Sequence, residues 1–326
     1  MYPVANSEQQ NQTAVSEFIL LGFGDIPKLQ IVLFVLFFII YLATMTGNLL
    51  IVLSVSVDQH LHTPMYFFLG NLSFLESSYS TTIMPKMLAG LLTGDGSISV
   101  KACLIQFFIF SFLGGAECYL LSVMSYDRYL AVSKPLHYAT VMNGRFCMQL
   151  AAGSWVSGIL VGTSITVRVS KLSFCGPNEI DHYFCDMIPD IKQISCSDTH
   201  LVELSAFTFA CIFTLPPFLL TLTSYTFIIA TILRIQSITG RQKAFSTCSS
   251  HLIVVALFYG TLMLVYMLPR SRNLRYMKKI FSLFYTVLTP MVNPLIYSLR
   301  NKEVKKVLGK GFRKFSFYIT FQKSRI

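Results

Sequence analysis

Seven long apolar runs, separated by polar connections, decide what this chain can fold into. They lie at 29–57, 64–91, 100–133, 146–169, 200–234, 244–269 and 277–299. About 20 apolar residues cross the ~30 Å hydrocarbon core of a bilayer as a helix. A helix also satisfies its own backbone hydrogen bonds, which hydrocarbon cannot do for it. Composition agrees: the chain is 53% hydrophobic and 13% charged, with 28 Phe, 13 Met and a single Trp, far from a soluble average. Every connection is short except 170–199, so no soluble domain fits between runs. The expected fold class is an all-α membrane protein, a seven-transmembrane helix bundle with a short amphipathic helix after the seventh span. That last helix is expected at Asn301–Lys314, with Val304, Val307, Leu308 and Phe312 on its apolar side.

An odd number of spans puts the two ends on opposite sides. Residues 1–28 lack a basic-apolar-small cleavage pattern, so the first run is expected to direct insertion and the tail to persist. That tail carries Asn11-Gln12-Thr13, a glycosylation sequon that has meaning only on a lumenal side. With the N-terminus outside, 15 Lys and Arg fall on the inner side and 11 on the outer, a bias created by the C-terminal tail. Cys103 opens the third span, and Cys175, Cys185 and Cys196 crowd the long connection on the same face. An oxidising exterior would pair them, and four cysteines allow three connectivities. Cys118, Cys147, Cys211 and Cys248 fall in spans or near the cytoplasm and read as packing residues or reduced thiols.

Sequon and cysteines together place the N-terminus outside, giving an extracellular tail at 1–28, a helical domain at 29–299 and a cytoplasmic tail at 300–326. Lys plus Arg exceed Asp plus Glu by 11. Because these bases sit in short loops and the tail, lipid headgroups and a cytoplasmic partner explain them better than nucleic acid does.

Charges near or inside the spans carry the chemistry. Asp127 and Arg128 stand side by side at the foot of span three, either as an interfacial marker or as a device. Neighbours on a helix point about 100° apart, so the two are not expected to face each other and each needs another partner. Glu76 and Glu117 lie inside spans two and three, where a carboxylate must be protonated, paired or bound to a cation. A Na⁺ or water pocket near them and a neutral hydrogen-bonded pair are both open. No other metal or cofactor is expected.

The outer half of span three, Phe107 to Phe112 followed by Gly114 and Gly115, holds no charge. An apolar cavity there suits small volatile molecules. The glycines either make room at its floor or let helices pack closely. Five bases between spans six and seven, Arg270, Arg272, Arg275, Lys278 and Lys279, fit acidic ligands or a merely solvated loop. No metal-spaced His/Cys cluster or nucleophile with a base occurs within one compartment, so no enzyme and no catalytic residue is expected. A transporter or channel would use Glu76 and Glu117 for permeation, but the odd span count and the lack of repeated halves oppose it.

Several motifs narrow the reading further. They are Gly47-Asn48, Leu61-His62-Thr63-Pro64-Met65-Tyr66-Phe67-Phe68-Leu69, Met124-Ser125-Tyr126-Asp127-Arg128-Tyr129, Trp155, Lys243-Ala244-Phe245-Ser246-Thr247-Cys248-Ser249-Ser250-His251, and Pro290-Met291-Val292-Asn293-Pro294-Leu295-Ile296-Tyr297-Ser298-Leu299-Arg300-Asn301. In this order, over about Phe18 to Arg313, the chain resembles an olfactory receptor of the rhodopsin-like G-protein-coupled class. It departs from the usual pattern at Ser133, where the family has Cys, and at Glu76, where it has Asp.

The resemblance implies a receptor that binds a small, largely apolar odorant in the bundle. It also implies activation of a heterotrimeric G protein, the olfactory stimulatory type that raises cyclic AMP, from the plasma membrane. It puts Phe110, Ser111, Gly114, Gly115, Phe209, Phe213, Tyr259, Leu262, Met263 and Tyr266 on the pocket wall, with Tyr259 the strongest candidate because a mid-span hydroxyl needs a partner. It implies Cys103–Cys185 and Cys175–Cys196 disulfides. Coupling and activation fall to Asp127, Arg128, Tyr129, Tyr225, Lys243, His251, Asn293, Pro294 and Tyr297, and a polar layer to Asn48, Glu76 and Glu117. The segment from Lys243 to His251 faces the partner or offers phosphorylation sites.

Overall fold

A computed structural model describes residues 15–24, 27–175, 177–266 and 272–300. Asn11, the helix expected at Asn301–Lys314 and Arg270 lie outside these residues, as do the side chains of Lys243 and Tyr297. Seven long helical segments run in chain order. Spans one to three are α1 (Pro27–Val57), α2 (Pro64–Thr93) and α3 (Val100–Ser133). A short α4 (Pro135–Val141) precedes α5 (Gly144–Val169), which is span four, and α6 (Met187–Ile194) lies within the long connection. Spans five and six are α7 (His200–Leu233) and α8 (Ile238–Tyr266). Span seven is α9 (Arg272–Leu283), a π turn (Phe284–Leu288) and α10 (Thr289–Arg300).

Local chemistry sets the ends. Pro64 opens α2 where its missing N–H costs nothing. Gly94 closes it at φ 73, donating to Gly90 O. Ser99 caps α3 by accepting from Ala102 N, and Asn143 caps α5 by accepting from Phe146 N. Span six begins at Ile238, before the apolar run itself, because the helix continues into the polar segment that follows Arg234.

Leu53, Val57, Leu219 and Leu233 are all more than half exposed, an outer surface that suits lipid and not water. Among the described residues five segments are long and apolar enough to cross on composition alone; α2 is not among them, and α8 offers only the shorter apolar stretch His251–Tyr266. In α2 the polar residues point inward, with Ser73, Glu76, Ser77 and Ser80 all buried. At the centre stands α3, packed most extensively on α5. The approach is close: a Cβ on Gly158 would lie 2.4 Å from Phe112 O.

A cap covers one end of the bundle. The strand β1 (Glu17–Leu20) pairs antiparallel with β2 (Ser97–Ser99) and parallel with β3 (Glu179–Ile180). Phe18 and Leu20 face inward while Glu17 and Ile19 face out, the period-2 alternation of a half-buried strand. The end of the N-terminal segment is thus part of the lid and not simply a polar tail. Lys279 fastens it, donating to Gly22 O at 2.8 Å and pairing with Asp181. That base is a latch between span seven, the tail and the long connection, neither a solvated charge nor one facing the cavity.

Candidate functional site

Two buried regions on α3 hold the chemistry, one near each end. The long connection is tied down over the outer one. Cys103 is bonded to Cys185 and Cys175 to Cys196, with Cα atoms 5.4 and 5.7 Å apart. Gln106 adds a second tether, accepting from Cys185 N and donating to Thr82 O, each at 2.8 Å. Tyr183 reaches span seven through a 2.7 Å hydroxyl contact with Thr286.

Under this lid lies a cavity of about 150 Å³. Of the residues expected on its wall, Phe110, Ser111, Gly114, Gly115, Phe209, Phe213, Leu262 and Tyr266 line it. Met263 instead lines an adjoining cavity of about 280 Å³ between α7 and α8, which shares Ala206, Ala210 and Tyr266 with the first. The two glycines divide the roles left open between them. A Cβ on Gly114 would meet nothing within 4 Å, whereas on Gly115 it would lie 3.1 Å from Gly158 Cα. Gly114 makes room and Gly115 permits close packing.

Tyr259 is a correction: it does not line either cavity. It is 1% exposed and lies one layer inward, where its hydroxyl donates to Cys118 O at 2.7 Å. Cys118 itself lines the floor, so Tyr259 holds the floor from below. Sequence reasoning missed Asp186, Tyr79, Tyr285 and Thr214, which add polar residues to a mainly apolar wall. Burial pushes the Asp186 carboxyl up to about 7, partly offset by the Tyr266 hydroxyl that donates to it at 2.9 Å. A carboxylate directly following the lid cysteine was the one signal that could have pointed there.

Midway along the bundle, Asn48 donates to Pro290 O at 3.0 Å, and Asn293 donates to Glu76 Oε1. Glu76 and Glu117 are 0% and 1% exposed. Asn48 Oδ1, Glu76 Oε2, Glu117 Oε1 and Asn293 Oδ1 are buried with no hydrogen-bond partner. Pro294 packs close to span one, where a Cβ on Gly47 would lie 3.0 Å from its ring.

At the inner end the expectation for the charged pair fails. Arg128 donates to Asp127 Oδ2 through Nε at 3.1 Å and Nη2 at 2.8 Å. Their Cβ atoms do diverge, but the arginine stem is long enough to curl back to its neighbour. Tyr138 on α4 donates to the other oxygen, Oδ1, at 2.8 Å. Tyr129 packs against Phe227 of span five, with ring centroids 5.7 Å apart. Tyr225 bonds His251 Nδ1, joining spans five and six beside this pair. Ser133 contacts Thr231 at 2.9 Å, so the residue that departs from the family pattern makes a polar bridge to span five.

Seven helices around a central third span, with a disulfide-tied lid over one end and an Asp-Arg pair near the other, define a seven-transmembrane receptor. Squid rhodopsin shares this fold, with a TM-score of 0.68 at 16% identity over 89% of this chain and 87% of that one. The olfactory receptor family model matches residues 37–314. Human olfactory receptor 10A7 is 52% identical over 91% of this chain and 93% of its own length. Human olfactory receptor 10A3 is 48% identical over 96% of this chain and 100% of its own. The chain belongs to the olfactory receptor family. It is a multi-pass membrane receptor for odorants, and not an enzyme.

Proposed function

We propose that this receptor binds a small, largely apolar odorant in the cavity beneath the lid. Binding favours an inner-open state that engages a heterotrimeric G protein of the olfactory stimulatory type and raises cyclic AMP. The receptor acts at the plasma membrane among lipids, with its N-terminus outside. The observation that carries this reading is the placement of both tasks on α3. Phe110 and Gly114 line the cavity, while Arg128 is held by Asp127 nearer the inner end of the same helix. A ligand shifts such an equilibrium only by binding one state better than the other. The test is a cyclic-AMP reporter in cells exposed to an odorant panel. Native receptor responds to at least one odorant, and Arg128→Ala at equal surface expression responds to none. A response that survives the substitution sinks the mechanism.

The polar layer extends the proposal. Four buried acceptor oxygens without partners form a donor set that fits a hard monovalent cation such as Na⁺. Glu76 and Glu117 would hold it, with Asn48 and Asn293 completing the shell. Bound there, the ion would supply the positive charge that lets buried carboxylates ionise. In the native receptor, basal signalling should depend on Na⁺ concentration, and Glu117→Gln should remove that dependence. Equal dependence in both proteins favours the neutral pair.

A further inference from the structure

The lid contributes one carboxylate that the coupling scheme does not use. Asp186 follows Cys185, whose disulfide and amide bond to Gln106 fix this backbone over span three. It is 1% exposed and lines the cavity. Oδ2 accepts from the Tyr266 hydroxyl at 2.9 Å, and that hydroxyl lies 3.4 Å from the hydroxyl of Tyr285. The Ile188 backbone amide also acts on the carboxylate as a hydrogen-bond donor, favouring its charged form. Oδ1 is buried and has no hydrogen-bond partner. An unmatched buried acceptor is costly, and this one belongs to a cavity otherwise walled by residues such as Phe107, Phe110 and Leu262.

We propose that Asp186 is the polar anchor of the cavity, and that the odorant is a neutral alcohol or phenol whose hydroxyl donates to Oδ1 while its apolar body fills the aromatic wall. The inference rests on the odorant reading above and specifies the ligand class for that site. Desolvation, and not a net positive field, selects the hydroxyl over an ammonium: Asp190 and, less strongly, Lys278 act on Asp186 with opposite signs. Burial favours the neutral carboxyl, weakening its pull on a cation. A hydroxyl needs only an acceptor oxygen, which both protonation states of the carboxyl supply.

The experiment uses the full chain in the cyclic-AMP reporter, with surface expression measured for every variant. Probes are straight-chain and monoterpene alcohols, each with its methyl ether and its primary amine on the same carbon skeleton, plus a general panel of ketones, esters and hydrocarbons. For native receptor, the best alcohol should be at least about tenfold more potent than its ether, the effect of one good hydrogen bond. Asp186→Ala should lose that discrimination. Asp186→Asn, the variant that keeps size and folding, should retain the alcohol response within about threefold, because the amide can turn its NH₂ to Tyr266 and its oxygen to the ligand. Three outcomes overturn the anchor: ethers equal to alcohols on native receptor, discrimination that survives in Asp186→Ala, or amines preferred and lost in Asp186→Asn. Responses to the general panel without any to alcohols also overturn it while leaving the odorant reading intact. Silence to every compound, with normal surface expression and a working reporter, overturns both.

Discussion

Asp127 and Asp186 are both buried carboxylates, yet their surroundings differ in one respect. Asp127 is complete: Arg128 occupies Oδ2 and Tyr138 occupies Oδ1. Asp186, which lines the cavity, has one oxygen held by Tyr266 and the other buried without a hydrogen-bond partner. The first site is closed on itself and resists change until its pair is broken. The second is complete only when something with a donor arrives. A receptor needs this asymmetry, because a ligand can shift the inner site only if the outer one gains contacts in one state that it lacks in the other. The middle layer stands between them, with Glu76 half satisfied by Asn293 and Glu117 Oε1 without a partner.

Breaking the inner site should give the largest effect. Removing one member of a buried ion pair costs about 3–5 kcal/mol because the other is left uncompensated. Asp127→Ala is therefore expected to release Arg128 and raise ligand-independent cyclic AMP by roughly tenfold or more at equal surface expression. Basal signalling at the native level would mean that the pair does not restrain the resting state. Tyr138→Phe removes a single hydrogen bond to a charged group, worth about 1.5–3 kcal/mol when dry and less here, where the tyrosine is only partly buried. A rise of about two- to fivefold is expected in the same assay. An effect as large as that of Asp127→Ala would show that the hydroxyl, and not the guanidinium, is the main restraint.

How far these sites could be read in advance follows from their physics. The spans were legible because a bilayer demands long apolar stretches, and even the more polar α2 kept its length between Pro64 and Gly94. Strand β1 was not, since the partners of Glu17–Leu20 lie far along the chain at Ser97 and Glu179 and only the fold brings them together. Most of the cavity wall followed from family motifs, but Tyr259 could not be separated from true wall residues, because apolar helices look alike on every face. The Asp127–Arg128 pair was misjudged because helix geometry fixes Cβ directions and not the reach of a flexible guanidinium. Asp186 sat in a loop whose cysteines drew attention to covalent tethering instead of to the cavity below.

The smallest expected effect is in the pH dependence of the lid, where Asp186 has a counterpart. His182 is 6% exposed, its ring centroid 4.4 Å from those of Tyr183 and Phe184. Burial, and then the charge of Lys279, push its pKa from 6.5 down to about 3. Burial raises that of Asp186 from 3.8 to about 7, with Tyr266, Asp190, Ile188 and Lys278 as lesser influences. The signs oppose. Asp186, raised in the folded state, contributes stability that is full below about 4 and is lost as pH rises through about 7. His182, lowered in the folded state, contributes stability that is full above 6.5 and is lost as pH falls toward about 3. Between about pH 4 and pH 6.5 the two offset each other, so native receptor should show a nearly flat melting temperature across that window. Asp186→Asn leaves His182 alone, and its melting temperature should fall on acidification from about pH 6.5 to about pH 5 by a few degrees, the scale set by about 1.4 kcal/mol per proton and pH unit. His182→Phe leaves Asp186 alone and should reverse the trend, melting higher at the acid end. Parallel curves for all three proteins would mean that neither group changes its protonation when the lid opens.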